Sequence, residues 1–112
     1  MKKVALFIMV AVFLISTDTM AAPRKPIMVY GFLGESCGKW SAYTETQRAW
    51  YLLWLKGFFT GHNFGNQGHQ IMSLPDDESM ELYFDKYCRD NPLGNLISPT
   101  LRLTEELRDK KN

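Results

Sequence analysis

Two cysteines, two histidines and one run of carboxylates are the side chains of this 112-residue chain with the most evident chemistry. Cys37 and Cys88 could form a disulfide, act as thiols or bind a metal. A two-cysteine metal site would recruit histidines, but His62 and His69 stand seven residues apart with no Asp, Glu or Cys flanking them. Helix-borne ligands sit three or four apart, so no metal site is expected. Asp76, Asp77, Glu78 and Glu81 crowd one segment, as they would to complement the positive end of a helix dipole. A docking patch for a basic partner is the alternative reading. No nucleophile elbow, P-loop or dinucleotide fingerprint occurs, so neither an enzyme nor a cofactor is expected.

The compartment decides between the cysteine readings. Residues 1–21 read as a signal peptide. Lys2 and Lys3 precede an unbroken apolar run of 12 residues, Val4 to Ile15, and Thr19-Met20-Ala21 supplies small side chains for cleavage after Ala21. As a helix that run rises only about 18 Å, against a bilayer core of about 30 Å, so a membrane anchor is disfavoured. The short lysine-rich leader looks bacterial and implies the periplasm. In an oxidising compartment a pair of cysteines is most simply one disulfide, Cys37–Cys88.

Without Lys2, Lys3 and Asp18, eleven basic and eleven acidic residues remain, a balance unlike that of a nucleic-acid binder. The remaining chain, 22–112, is short enough for a single domain. Ala22 to Gly34 reads as an extended arm, with a short edge strand at Ile27–Tyr30, and Gly34 to Gly38 as a turn. A first helix is expected over Thr44–Thr60. Thr44 and Gln47 have capping-box spacing, and Trp50, Leu53, Trp54, Gly57, Phe58 and Gly61 form an apolar stripe. That stripe is read as core, with a homodimer seam as the alternative. His62 to Ser73, rich in glycine and amides, reads as a flexible loop.

A second helix is expected over Pro75–Arg89, capped by Ser73, with Met80, Phe84 and Cys88 on one face. A third helical region spans Pro92–Asp109, with Leu93, Leu96, Ile97, Leu101 and Leu107 at helical spacing and Lys110 and Lys111 at its end. Trp40, Trp50 and Trp54 read as core or interface anchors. The fold class is all-α, a small domain of three to four helices with one disulfide.

The order of these features resembles the Rap/Tai family of small periplasmic immunity proteins of bacterial type VI secretion. The residues that carry the resemblance are Cys37-Gly38-Lys39-Trp40, then Trp54-Leu55-Lys56-Gly57 through Asn63. Tyr87-Cys88-Arg89-Asp90-Asn91-Pro92 and the closing Leu103-Thr104-Glu105-Glu106-Leu107 complete it. Together they cover roughly residues 37–107. The resemblance implies a helical, disulfide-linked and often dimeric protein that binds and blocks a peptidoglycan amidase. The residues themselves put the partner-binding surface at the exposed, amide-rich loop: His62, Asn63, Phe64, Asn66, Gln67 and His69. An acid-stress chaperone of the HdeA type and a secretion-system accessory protein are the alternative readings.

Overall fold

The computed structural model describes residues 22–108; the expected signal peptide and the two closing lysines lie outside them. Four helices follow a 3-10 turn at Gly31–Gly34: α1 (Cys37–Ala42), α2 (Glu45–Gly65), α3 (Asp77–Asp90) and α4 (Ile97–Leu107). The all-α class and the Cys37–Cys88 disulfide both hold. Residues 22–30 form no regular element, and Ile27 to Tyr30 are exposed, so the expected edge strand is absent. Strand-like pairing occurs instead where Ser36 meets Asn95 across an isolated antiparallel bridge. There the Cys37 N–H donates to the Gly94 carbonyl (2.9 Å) and the Leu96 N–H to the Glu35 carbonyl (2.9 Å).

The local chemistry explains each helix start. The region expected as a turn at Gly34–Gly38 is the beginning of α1, because the Ser36 hydroxyl accepts the Lys39 N–H and caps it (3.1 Å). At α2 both bonds of the Thr44–Gln47 capping box form. Asp76, not Ser73, caps α3, accepting the Ser79 N–H at 2.7 Å. This bond to the charged form holds the Asp76 carboxyl below its ordinary pKa.

The last helix starts five residues later than the Pro92 expected. Asn91 to Gly94 closes a turn, with the Gly94 N–H on the Asn91 carbonyl (2.9 Å), and the Asn95 side chain accepts the Ile97 N–H (3.0 Å). Leu93, counted among the helix's apolar positions, is fully exposed on that turn. Pro99 falls in the first turn of α4, where its missing N–H removes no helical bond.

Against α3, α1 and α2 make a core around Trp40, Tyr51, Leu55, Met80 and Phe84, closed by Leu96 and Leu103 of the C-terminal part. The disulfide joins the first turn of α1 to the end of α3, with the two Cα atoms 5.1 Å apart. One polar knot ties three helices together. Asp85 on α3 accepts the buried Trp40 indole N–H (2.8 Å) and the Arg48 guanidinium (2.9 Å), and that guanidinium lies 4.4 Å from the Trp40 ring centroid. A second polar pair is buried. Thr100 gives its hydroxyl proton to the Leu96 carbonyl (2.6 Å), so Tyr51 donates to the Thr100 oxygen (2.9 Å). Burial pushes the Tyr51 phenol pKa upward.

Candidate partner-binding surface

The surface begins with α2, which carries apolar residues on two opposite faces. Tyr51, Leu52, Leu55 and Phe59 are its buried face. The stripe expected as core points mostly the other way. Trp50 and Leu53 are 58% and 70% exposed, and Gly57 and Gly61 have open space where a Cβ would be. Only Trp54 and Phe58, on its edge, pack against the core. Both stripes have helical spacing in the sequence; α3 and α4 cover only one of them.

Gly31 fixes the other edge of this surface. It has φ +73°, and its Cα sits where a side chain would collide with the Trp54 indole. This close approach turns the chain from the arm into the 3-10 turn and sets Phe32 against Tyr43, Tyr51 and Trp54. Phe32, Tyr43 and Trp50 then line a shallow depression of about 420 Å³, rimmed by the Glu35–Lys39 ion pair and Gln47. The Glu35 carboxylate raises the Lys39 pKa through that hydrogen bond.

At the far end α2 runs one turn further than expected, to Gly65, so His62, Asn63 and Phe64 are helical rather than part of a flexible loop. The chain beyond is tied down. The Asn63 amide clamps Ile71 in both directions, accepting its N–H (2.7 Å) and donating to its carbonyl (3.0 Å). Asn66 caps the helix by donating to the His62 carbonyl (2.8 Å), and the His69 N–H returns to the Asn66 carbonyl (2.9 Å). His62 Nε2 lies 3.3 Å from the His69 carbonyl oxygen. These hydrogen bonds brace the loop from residue 66 to residue 71.

Of the six residues assigned to binding from the sequence, Asn63, Phe64 and Gln67 come together around one depression of about 250 Å³, with Thr60 and Gln70. His62, Asn63 and Asn66 hold the loop in shape through their hydrogen bonds. Phe64 points outward, 79% exposed, and Met72, which the sequence reading passed over, is 77% exposed. Among the described residues no group of three or more His, Cys, Asp or Glu is placed to hold a metal ion.

No protein-family model matches this chain, and no curated protein or solved structure is significantly similar to it. The acidic run has structural partners: Asp76 caps α3, Asp77 pairs with Lys56 of α2 (2.8 Å), and Glu81 lies 3.7 Å from Arg48. The last two of these contacts pin α3 to α2. Among the described residues no helix is long and apolar enough to cross a membrane.

Proposed function

We propose that this is an exported periplasmic protein that works by docking on a protein partner, an immunity-type inhibitor of a peptidoglycan amidase. Export rests on the leader at residues 1–21, and the partner class on the resemblance across residues 37–107. The observation that supports the docking reading is the last turn of α2 with the braced segment after it, where Phe64 stands in solvent beside the amides of Gln67 and Gln70 and Met72, just past the braced loop, is also exposed. Exposed aromatic and methionine side chains are typical anchors of protein interfaces, and a loop already ordered loses little entropy on binding. Inhibition would be steric, the loop entering or capping a cleft.

The test is titration of periplasmic cell-wall amidases from neighbouring bacteria with the purified protein, following release of cleaved peptidoglycan. Stoichiometric inhibition is expected, weakened at least about 30-fold by Phe64→Ala as for a hot-spot anchor. Failure to bind or inhibit any such amidase overturns the reading.

A second reading, the acid-stress chaperone, draws on Arg48, which fastens α2 to α3 through Asp85 and Glu81. Protonation of both carboxylates would loosen that seam and uncover apolar surface. Suppression of client aggregation at about pH 2–3 is its test, and inertness there removes it.

A further inference from the structure

The depression near the start of α2 joins aromatic rings to a polar rim. Phe32 and Tyr43 meet edge to face with centroids 6.3 Å apart, and the exposed Trp50 completes the apolar lining. Phe32 is held from behind, packed on Tyr51 and Trp54 and entered through the positive-φ Gly31. Glu35 is fixed through its backbone, its N–H on the Phe32 carbonyl (3.1 Å) and its carbonyl on the Leu96 N–H (2.9 Å). One of its carboxylate oxygens takes the Lys39 ammonium at 2.9 Å. The second oxygen is left to accept, and the remaining ammonium protons to donate. Gln47 Oε1 already accepts the Thr44 N–H, so its amide nitrogen is the group left for a ligand.

We propose that this depression binds a sugar ring, an internal unit of a cell-wall glycan strand. A pyranose has one face of C–H groups, which suits an aromatic floor, and an edge of hydroxyls that both give and accept hydrogen bonds. The rim offers both kinds of partner, donors at Lys39 and Gln47 and an acceptor at Glu35. It also disfavours other occupants. One cation and one anion cancel there, so no net field draws an ion, and a charged ligand would have to break the Glu35–Lys39 pair. A purely apolar peptide side chain would take water from these groups and return no hydrogen bond.

The dimensions agree. A volume of about 420 Å³ lies within the roughly 300–1,000 Å³ of small-ligand sites. A shallow site admits the middle of a chain, with no need for a chain end. An N-acetylhexosamine unit adds an acetamido group, a carbonyl for Lys39 or Gln47 and an N–H for Glu35. The choice of wall glycan as the source rests on export to the periplasm; the choice of a sugar does not rest on the amidase reading. Trp50 and Phe64 are 14 residues or about 21 Å apart along α2, so a bound strand leaves the docking loop uncovered.

The test is titration of the isotope-labelled, oxidised protein with N-acetylglucosamine tetramer, with cellotetraose, and with peptide-free glycan strands from sacculi. Binding of the strands and of the N-acetylated tetramer is expected with a dissociation constant on the order of 1 mM. The Trp50 indole N–H resonance should move while that of Trp40, bonded to Asp85, stays in place. Trp50→Ala, at an exposed site, should keep the helical circular dichroism and weaken binding at least about 10-fold. Leu53→Ala, exposed about one turn along the same helix but outside the depression, should bind as the parent does. Cellotetraose, which lacks the acetamido groups, should bind more weakly. Strands that cause no shift by about 10 mM in sugar, an equal loss in Leu53→Ala, or cellotetraose that binds as tightly would overturn the proposal. No amidase is present in this titration, so its result and that of the inhibition assay can fail separately.

Discussion

Opening the Cys37–Cys88 bond should remove about 4 kcal/mol of stability, the chain-entropy value for a loop of 51 residues. The structure explains why that figure should apply with little correction. Both cysteines are almost fully buried in the core, and a free thiol there behaves as a small hydrophobe, so reduction leaves no stranded polar group. The loss therefore arises in the unfolded chain, which gains freedom over α2 and most of α1 and α3. For a domain this size, total stability is roughly 4–13 kcal/mol, so the bond supplies a third or more of it unless the value lies at the top of that range. The assay is urea denaturation followed by tryptophan fluorescence, with and without reductant. With a urea slope of about 1 kcal/mol per M, the midpoint should fall by about 4 M. The double variant Cys37→Ala, Cys88→Ala should behave like the reduced protein. A midpoint shift under about 0.5 M, with both thiols shown to be free by mass, would refute the reasoning.

Three further outcomes follow from the polar contacts. Asp85→Ala should cost about 1–3 kcal/mol in chemical denaturation, because the buried Trp40 indole N–H loses its acceptor; Asp85→Asn, which keeps an accepting oxygen, should cost less. Thr100→Val strands the buried Tyr51 hydroxyl and should cost about 1–3 kcal/mol, whereas Tyr51→Phe should cost only about 0.5–1.5 because Thr100 retains the Leu96 carbonyl; equal losses would contradict the donor assignment. Asp76 has a lowered carboxyl pKa when folded, so its contribution to stability is complete above the unfolded value of about 3.9 and disappears as pH falls through the folded one. Acid titration of Asp76→Asn should lack that component while the amide still caps α3 at neutral pH.

Local determinants were legible in part, and what packing decides was not. The capping box at Thr44 and Gln47, the buried face of α3 and the pairing of the only two cysteines could all be read from spacing and residue type. The starts of α1 and α4 were missed although the bonds that open them are local, the Ser36 hydroxyl on the Lys39 N–H and the Asn95 side chain on the Ile97 N–H; spacing could not show the pairing of Glu35 and Cys37 with Leu96 and Gly94 that holds the two starts together. At α2 the pattern itself was ambiguous. Tyr51, Leu52, Leu55 and Phe59 have the same helical spacing as Trp50, Leu53, Gly57 and Gly61, and periodicity cannot say which set faces α3. Phe64 and Gln67 lie on the surface as expected, but the glycines and amides taken as signs of flexibility belong to a segment that Asn63 and Asn66 hold in place.

The span between α2 and α3 is also the obvious place for a protease to cut, since Gln67 to His69 and Met72 to Leu74 are exposed. A nick there would separate the backbone into one piece carrying α1 and α2 and another carrying α3 and α4. The Cys37–Cys88 bond joins those pieces, so a clipped molecule would keep its mass on a non-reducing gel and fall into two bands only once reductant is added.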